Sequence, residues 1–153
     1  QDWACVQGLN RAILQIAESM AATDSGELHV ACAWELFGEA TMQSSAFVHV
    51  DQEEIDRQRR AVEAAHRGAV DELVAGHLSQ PADAVVHVVQ GSAASVIGDL
   101  VARERINLVV MGTFGRTGIS GLVMGNTAEI ALDSLRCSVV AVKPPSFVSP
   151  IQH

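Results

Sequence analysis

The chain has 153 residues, 48% of them hydrophobic, and a formal net charge of −8 at pH 7. This length suits one domain with a hydrophobic core, and the acidic balance, with Lys143 as the single lysine, argues against a nucleic-acid-binding surface. No apolar run reaches the roughly 18 residues of a membrane-spanning helix and no signal peptide precedes the first helix, so we expect a cytoplasmic protein without membrane contact.

The first half of the chain predicts a helix, a strand and a long helix. Helical spacing of apolar residues predicts an amphipathic helix over about 4–22, and a mostly buried strand is predicted for 27–35. Residues 36–50 are irregular, and the acidic segment 51–54 then suits the N-terminus of a helix that ends near Gly76. The inward faces of the two helices are predicted to carry Leu9, Ile13, Ile16, Ala17 and Met20, and Ile55, Val62, Ala69, Val70 and Leu73, respectively.

The second half predicts three more strands separated by helices. Strands are predicted for 84–89, for 107–111 as a buried strand, and for 138–142. The intervening helices are predicted to have inward-facing Val96, Leu100 and Val101, and Ala128, Ala131, Leu132 and Leu135. Gly91-Ser92 forms the turn and cap before the first of them, and Pro144-Pro145 ends the last strand, which places a domain at 1–145 and a tail at 146–153. Alternating strands and helices predict a parallel sheet with right-handed crossovers.

A glycine-rich segment follows the strand that ends at Met111. Its glycines are Gly112, Gly115, Gly118, Gly121 and Gly125, and a helix is predicted to begin near Asn126. Backbone N–H groups leading into a helix N-terminus favour an anion such as phosphate. The segment lacks the lysine of the Walker loop and the Gly-x-Gly-x-x-Gly spacing of the dinucleotide fold, so both of those phosphate sites are excluded.

The spacing Gly112-x2-Gly115-x9-Gly125, preceded by Val-Val-Met and followed by Ala-Glu and an apolar strand ending Lys-Pro, resembles the universal stress protein family. The resemblance extends over essentially the whole chain, including Glu-Leu-His-Val after the first helix. The amino-acid sequence of residues 115–120 and 125–129 is most similar to the C-terminal half of the tandem, two-domain members of the E type.

The resemblance implies a three-layer α/β fold of the adenine nucleotide alpha hydrolase-like type, with a five-stranded parallel sheet and helices on both faces. It also implies, as in many members, an ATP site at the carboxyl ends of the strands, with Mg²⁺ only as a companion of the nucleotide. By position, Ala33 and Met111 would line the adenine pocket, and Gly112 and Gly115 would let the backbone approach the phosphates and ribose. The remaining residues implied are Gly125, Asn126 and Thr127 at the phosphate, and Arg116 as a mobile counter-charge.

Two departures from the family pattern affect this expectation. Asn126 stands where ATP-binding members usually have Ser or Thr, although its amide can donate a hydrogen bond. The family's first strand, with the Asp at its end that helps to hold adenosine, is absent from the sequence. Without that central strand the sheet cannot close between its two halves unless another segment fills the gap, so we expect a longer native polypeptide. A glycine loop that is only a tight connector, with no ligand, stays open as an alternative.

No catalytic or metal-binding constellation is evident. His29 and His87 lie inside strands without a partner motif and are expected to be structural, and His49, His66 and His77 share no metal-ligand spacing with cysteine or carboxylate. No serine lies in a Gly-x-Ser-x-Gly elbow, so at most slow incidental ATP hydrolysis is expected. The odd number of widely spaced cysteines, Cys5, Cys32 and Cys137, predicts buried, reduced thiols.

Two functions follow as hypotheses. In the first, an adenine nucleotide orders the 112–125 loop and biases assembly with a second stress-protein domain or a homodimer partner. In the second, the chain is a scaffold that binds no nucleotide and pairs with another domain or protomer through the strand 138–142. An enzyme acting on a small phosphorylated substrate ranks third, because no acid, base or metal ligand is positioned for it.

Overall fold

Helices alternate with parallel strands in the computed structural model, which describes residues 3–36, 52–113, 130 and 133–144. The helices are α1 (Trp3–Asp24), α2 (Gln52–His77) and α3 (Ala93–Arg103), with a short 3-10 helix at Pro81–Asp83 before the second strand. The strands are β1 (Leu28–Trp34), β2 (Ala84–Gln90), β3 (Leu108–Gly112) and β4 (Ser138–Val142). The order and type of these elements confirm the α/β class.

The four strands form two parallel pairs. β1 pairs with β2 from Leu28 opposite Ala84 to Trp34 opposite Gln90, and β3 pairs with β4 from Leu108 opposite Ser138 to Gly112 opposite Val142. Within the described ranges no strand joins the two pairs, so β1 and β3 each have one neighbour only. The family resemblance implied a central strand between these two pairs.

One face of the β1–β2 pair carries the main core. Side chains alternate between the two faces of a strand, so the even-numbered residues of β1 and β2 share a face. Helices α1 and α2 cover this face with a cluster of buried aliphatic side chains: Leu14, Val70, Val74 and Leu78, in contact with Leu28, Val30, Cys32, Leu73, Ala84 and Val86. Burying an aliphatic side chain of this size stabilises the fold by about 1.5–3 kcal/mol, so this cluster fixes both helices on the sheet.

Helix α3 packs against β1 through its own apolar stripe, and its buried Val96 and Leu100 are outside that core cluster. The odd-numbered face of the strands therefore belongs to α3. Helix α1 also reaches the second strand pair, because Leu9 and Ile13 lie over Gly112. A Cβ added at Gly112 would come within 2.9 Å of Leu9 Cδ2 and 3.1 Å of Ile13 Cδ1. Gly112 thus permits the close packing of α1 on β3.

Helices α1 and α3 end in the same manner. The N–H of Gly26 donates to the carbonyl of Ala21, and the N–H of Ile106 donates to the carbonyl of Val101, each five residues earlier. The residue before each donor, Ser25 (φ 52) or Arg105 (φ 55), is in the left-handed region. Both ends are therefore Schellman-type caps in which a residue other than glycine occupies the left-handed position.

Some predicted inward positions are wrong. Met20 is 38% exposed and Ala69 is also exposed, whereas Leu14 and Val74, which were not predicted, are buried. Ala31 is exposed within β1, and β3 is half-buried throughout, although both strands were predicted to be largely buried. The reason in β3 is that a strand with one neighbour lacks the shielding of a central strand. Of the helix predicted from Asn126, the described residues Ile130, Asp133 and Ser134 are helical, and most of the glycine-rich segment lies outside the described residues.

Candidate functional site

The carboxyl ends of β1 and β2 border a cavity of about 320 Å³. In parallel α/β sheets this is the edge where ligands bind, because strand ends and helix N-termini meet there. The described residues that line the cavity are Ala33, Trp34, Glu35, Gly91, Ser92, Ala93, Ala94 and Ile130. Ile130 is 55% exposed, which leaves an apolar side chain accessible at the rim.

The turn at Gly91-Ser92 sets the shape of the cavity wall. Gly91 has φ 146, a conformation that suits glycine, and its N–H donates to the Trp34 carbonyl at 2.8 Å, which fastens the turn to the end of β1. Ser92 caps α3, since its Oγ accepts from the N–H of Ser95 at 3.3 Å, as the sequence predicted. The N-terminus of α3, with its positive dipole end, therefore borders the cavity, and Glu35 also lines it.

A cluster of three side chains lies beside this wall, between β1 and α2. Trp34 is 4% exposed, and its ring lies nearly parallel to that of His66, with centroids 6.1 Å apart. His66 Nδ1 is 3.8 Å from Cys32 Sγ. Burial raises the pKa of the Cys32 thiol, so at neutral pH it is a thiol and not the thiolate that a nucleophile or metal ligand requires. Cys32 and Cys137 are both free and half-buried, not fully buried as predicted, and burial likewise raises the pKa of Cys137.

The structure places three of the predicted site residues. Ala33 lines the cavity, whereas Met111 and Gly112 end β3 and are not among the described residues of its wall. Thr113, directly after β3, is joined to β4 by its N–H, which donates to the Val142 carbonyl at 3.0 Å. The other predicted residues, Gly115, Arg116, Gly125, Asn126 and Thr127, lie outside the described residues, so their roles stay predictions.

The sequence did not single out Trp34, Glu35, Ala93, Ala94 or Ile130 as site residues. For Trp34 and Glu35 a signal was present, because they directly follow Ala33 at the predicted carboxyl end of a strand. The two alanines and Ile130 carry no chemical signature, and only the folded chain brings them to the cavity.

A second cavity, of about 410 Å³, lies at the opposite edge of the sheet, where β1 and β2 begin. Its lining includes the acidic residues Glu18, Glu27 and Asp83. The carboxylate of Glu18 accepts from the N–H groups of Ser79 and Gln80, at 2.6 and 3.2 Å, and so caps the chain after α2. This cavity is larger, but its position at the amino ends of the strands and its acidic lining make it the poorer match to a nucleotide.

Neither metal ligation nor a membrane span is found in the part of the chain that the structure describes. Across residues 3–36, 52–113 and 133–144, no three His, Cys, Asp or Glu side chains are grouped so that they could hold a metal ion. None of the helices in these ranges is long and apolar enough to cross a membrane.

Comparison with known proteins identifies the family. A model of the universal stress protein family matches residues 8–143. Universal stress protein E of Escherichia coli (strain K12) is 43% identical over 68 residues, which cover 44% of this chain and 22% of that protein. The chain thus matches about a fifth of the length of such relatives. Universal stress protein MJ0531 of Methanocaldococcus jannaschii is 33% identical over 58 residues, which are 38% of this chain and 34% of that protein.

Solved structures agree on the fold. The protein MJ0577 superimposes with a TM-score of 0.66 over 92% of this chain and 91% of that chain, at 15% identity. A universal stress protein in complex with cAMP gives a TM-score of 0.53 over 87% of this chain and 85% of that chain, at 19% identity. The protein PA1789 of Pseudomonas aeruginosa PAO1 is 28% identical with a TM-score of 0.56, over 84% of this chain but 38% of that chain. With the family match over 8–143, the chain belongs to the universal stress protein family.

Proposed function

We propose that this chain is a nucleotide-binding domain of a stress protein, which takes ATP or a related adenine nucleotide at the carboxyl edge of its sheet. The observation that carries the proposal is the cavity of about 320 Å³ beside Ala33, bordered by the ends of β1 and β2 and the start of α3. Its size is within the range of small-molecule sites, and it combines apolar walls with backbone N–H groups at a helix N-terminus.

The binding mode in this proposal divides the nucleotide between two parts of the chain. The base lies against Ala33, and the phosphates extend towards the glycine-rich segment that follows Gly112. There Gly115, Gly125, Asn126 and Thr127 bind phosphate and ribose, with Arg116 as a mobile counter-charge. Mg²⁺ enters only as a companion of the phosphates. The complex of a family relative with cAMP supports an adenine nucleotide as the ligand class.

The domain acts by binding and not by catalysis in this proposal. Burial keeps Cys32 and Cys137 protonated at neutral pH, so neither thiol is an activated nucleophile. Nucleotide binding orders the 112–125 segment and changes the contacts of the domain with its partner, in the cytoplasm. The much greater length of relatives such as PA1789, of which this chain covers 38%, supports a second domain of the same polypeptide as that partner.

Calorimetric titration of the full chain with ATP, AMP and cAMP tests the proposal. Leucine at Ala33 extends into the cavity and should weaken ATP binding at least about tenfold, or about 1.4 kcal/mol. The matched control is Ala22→Leu, because Ala22 is an exposed residue of the opposite cavity and its substitution should leave ATP affinity unchanged. Absence of heat with millimolar nucleotide contradicts the proposal, and equal effects of the two substitutions contradict the assigned site.

A scaffold without nucleotide is the second candidate, and β4 is the observation that favours it. Within the described ranges β4 pairs with β3 alone, so its other edge has backbone groups available for a strand of another domain or protomer. Sedimentation at several protein concentrations distinguishes the candidates. Self-association that is independent of ATP supports the scaffold, and a stable monomer at high protein concentration argues against it.

A further inference from the structure

Two histidines on neighbouring strands are in direct contact. His29 of β1 lies diagonally opposite His87 of β2, since the register pairs Ala31 with His87, and both side chains are on the face that α3 covers. His29 Nδ1 and His87 Nε2 are 2.9 Å apart, a hydrogen-bond distance. The ring planes differ by 10°, and the ring centroids are 5.2 Å apart. This separation is too large for face-to-face contact of about 3.5–4.0 Å, so the rings meet edge to edge through their nitrogen atoms.

The geometry suits a shared proton better than a metal ion. Two nitrogens bound to one tetrahedral metal at about 2.0–2.1 Å lie about 3.3–3.4 Å apart, which is more than the 2.9 Å between these two. A hydrogen bond between two imidazoles requires one ring to donate and the other to offer a lone pair. This condition holds when both rings are neutral and also when only one of them is a positively charged imidazolium. It fails when both rings are imidazolium, because two N–H groups and two positive charges then face each other.

Charged groups of three segments surround the pair. Glu27, directly before β1, places Oε2 at 3.6 Å from His29 Nε2, and the His29 side chain is 9% exposed. Arg103 and Glu104 at the end of α3 and Arg67 of α2 act on His87. Burial lowers the pKa of His87, and the charge of His29 lowers it further, as do Arg103 and Arg67, whereas Glu104 opposes this shift. Proton uptake by both rings is therefore unfavourable in the folded chain.

We propose that the His29–His87 pair is an acid-sensitive contact, which joins β1 to β2 at neutral pH and is disrupted when both rings are protonated. The direction follows from linkage. A histidine that binds a proton less readily in the folded than in the unfolded chain contributes stability that is present above its ordinary pKa of about 6.5. That contribution is lost as the pH falls through the lowered pKa of His87. Acidification thus weakens the strand pair that ends at the cavity.

Chemical unfolding at pH 7.5 and pH 5.0 tests this inference with His29→Gln, His87→Gln and the double variant. The folding equilibrium constant of the wild type should fall by roughly tenfold more than that of His87→Gln or the double variant, since both lack the ring whose proton uptake is opposed. His29→Gln removes the repulsion but keeps His87 buried, so its loss should be intermediate. His77→Gln is the control, because His77 lies in the last turn of α2 and should leave the loss as large as in the wild type. Equal losses in the wild type and the His29 and His87 variants would overturn the inference.

Nitrogen NMR of the wild-type imidazoles supplies a second readout that needs no substitution. The shared proton predicts that His29 Nδ1 and His87 Nε2 show hydrogen-bonded shifts at pH 7.5 and that His87 binds its second proton below the ordinary histidine range. Shifts of non-bonded nitrogens at pH 7.5, or titration of His87 at the ordinary histidine value, contradict the contact. Because this experiment and the unfolding series involve no nucleotide, their outcome is independent of whether the proposed nucleotide site is correct.

Discussion

Gly91 connects β2 to α3, and alanine at this position should destabilise the fold. Gly91 has φ 146, which a residue with a Cβ rarely adopts, and the added Cβ would come within 3.2 Å of Val96 Cγ2. Val96 is buried in α3, so it has little freedom to move away. Alanine must therefore tolerate the strained backbone or rotate it, and rotation would move the N–H that donates to the Trp34 carbonyl.

The magnitude follows from two opposing contributions. A residue other than glycine in such a conformation costs about 1–3 kcal/mol, while alanine gains about 0.4–1 kcal/mol by restricting the unfolded chain. Gly91→Ala should therefore lower the free energy of unfolding by about 1–2 kcal/mol. Gly98→Ala is the matched control, since Gly98 lies within α3 with nothing within 4 Å of an added Cβ. It should raise stability by up to about 1 kcal/mol, because alanine is the better helix former.

Urea unfolding followed by circular dichroism measures both variants. For a domain of this size, each 1 kcal/mol corresponds to about 2–4 °C in Tm, so thermal scans should separate the two variants clearly. The reasoning is refuted if Gly91→Ala is as stable as the wild type while Gly98→Ala behaves as expected. In that case the turn accepts a Cβ, and the shape of the cavity wall does not depend on glycine.

Three further substitutions address other contacts. Gly112→Val should destabilise the chain by about 1–3 kcal/mol in urea unfolding, since the added atoms enter the space of Leu9 and Ile13, and no loss would show that α1 can move off β3. Glu18→Ala should lower the free energy of unfolding by about 1 kcal/mol in the same measurement, because it removes the acceptor of two backbone N–H groups. If the variant is as stable as the wild type, water replaces the carboxylate as the acceptor of those groups. Arg105→Gly should raise Tm by a few degrees, as glycine suits φ 55 better; a lower Tm would mean that the arginine side chain contributes more than the backbone relief.

The order of elements could be predicted because it depends on local pattern. Apolar spacing placed α1, α2 and α3 within about two residues of their observed ends, and β-branched runs placed the strands. The backbone conformation at the helix ends was harder to predict from the sequence. At the end of α1 the left-handed residue is Ser25, and the next residue, Gly26, supplies the N–H that closes the cap. Composition alone does not reveal which residue adopts the left-handed conformation.

The candidate site could be predicted only in part, since it depends on the alignment of distant segments. Ala33 was placed through the family resemblance and lines the cavity, whereas Ala94 comes to it through the packing of α3 on β1. Trp34 and Ile130 also line it. His29 and His87 were expected to be structural, since neither belongs to a recognisable motif. Their contact spans 58 positions and exists because β1 and β2 pair in one register, which sequence periodicity does not determine.

Helix α1 touches β1 of one strand pair and β3 and β4 of the other. Leu14 anchors it in the core cluster, while Ile13, one residue earlier, and Leu9, five residues earlier, lie over Gly112. The helix therefore connects the β1–β2 pair to the β3–β4 pair, whose strands do not pair with each other in the described ranges. Cooperative unfolding of the two pairs should depend on α1, so Leu9→Ala should let amides of β3 and β4 exchange with solvent ahead of those of β1 and β2.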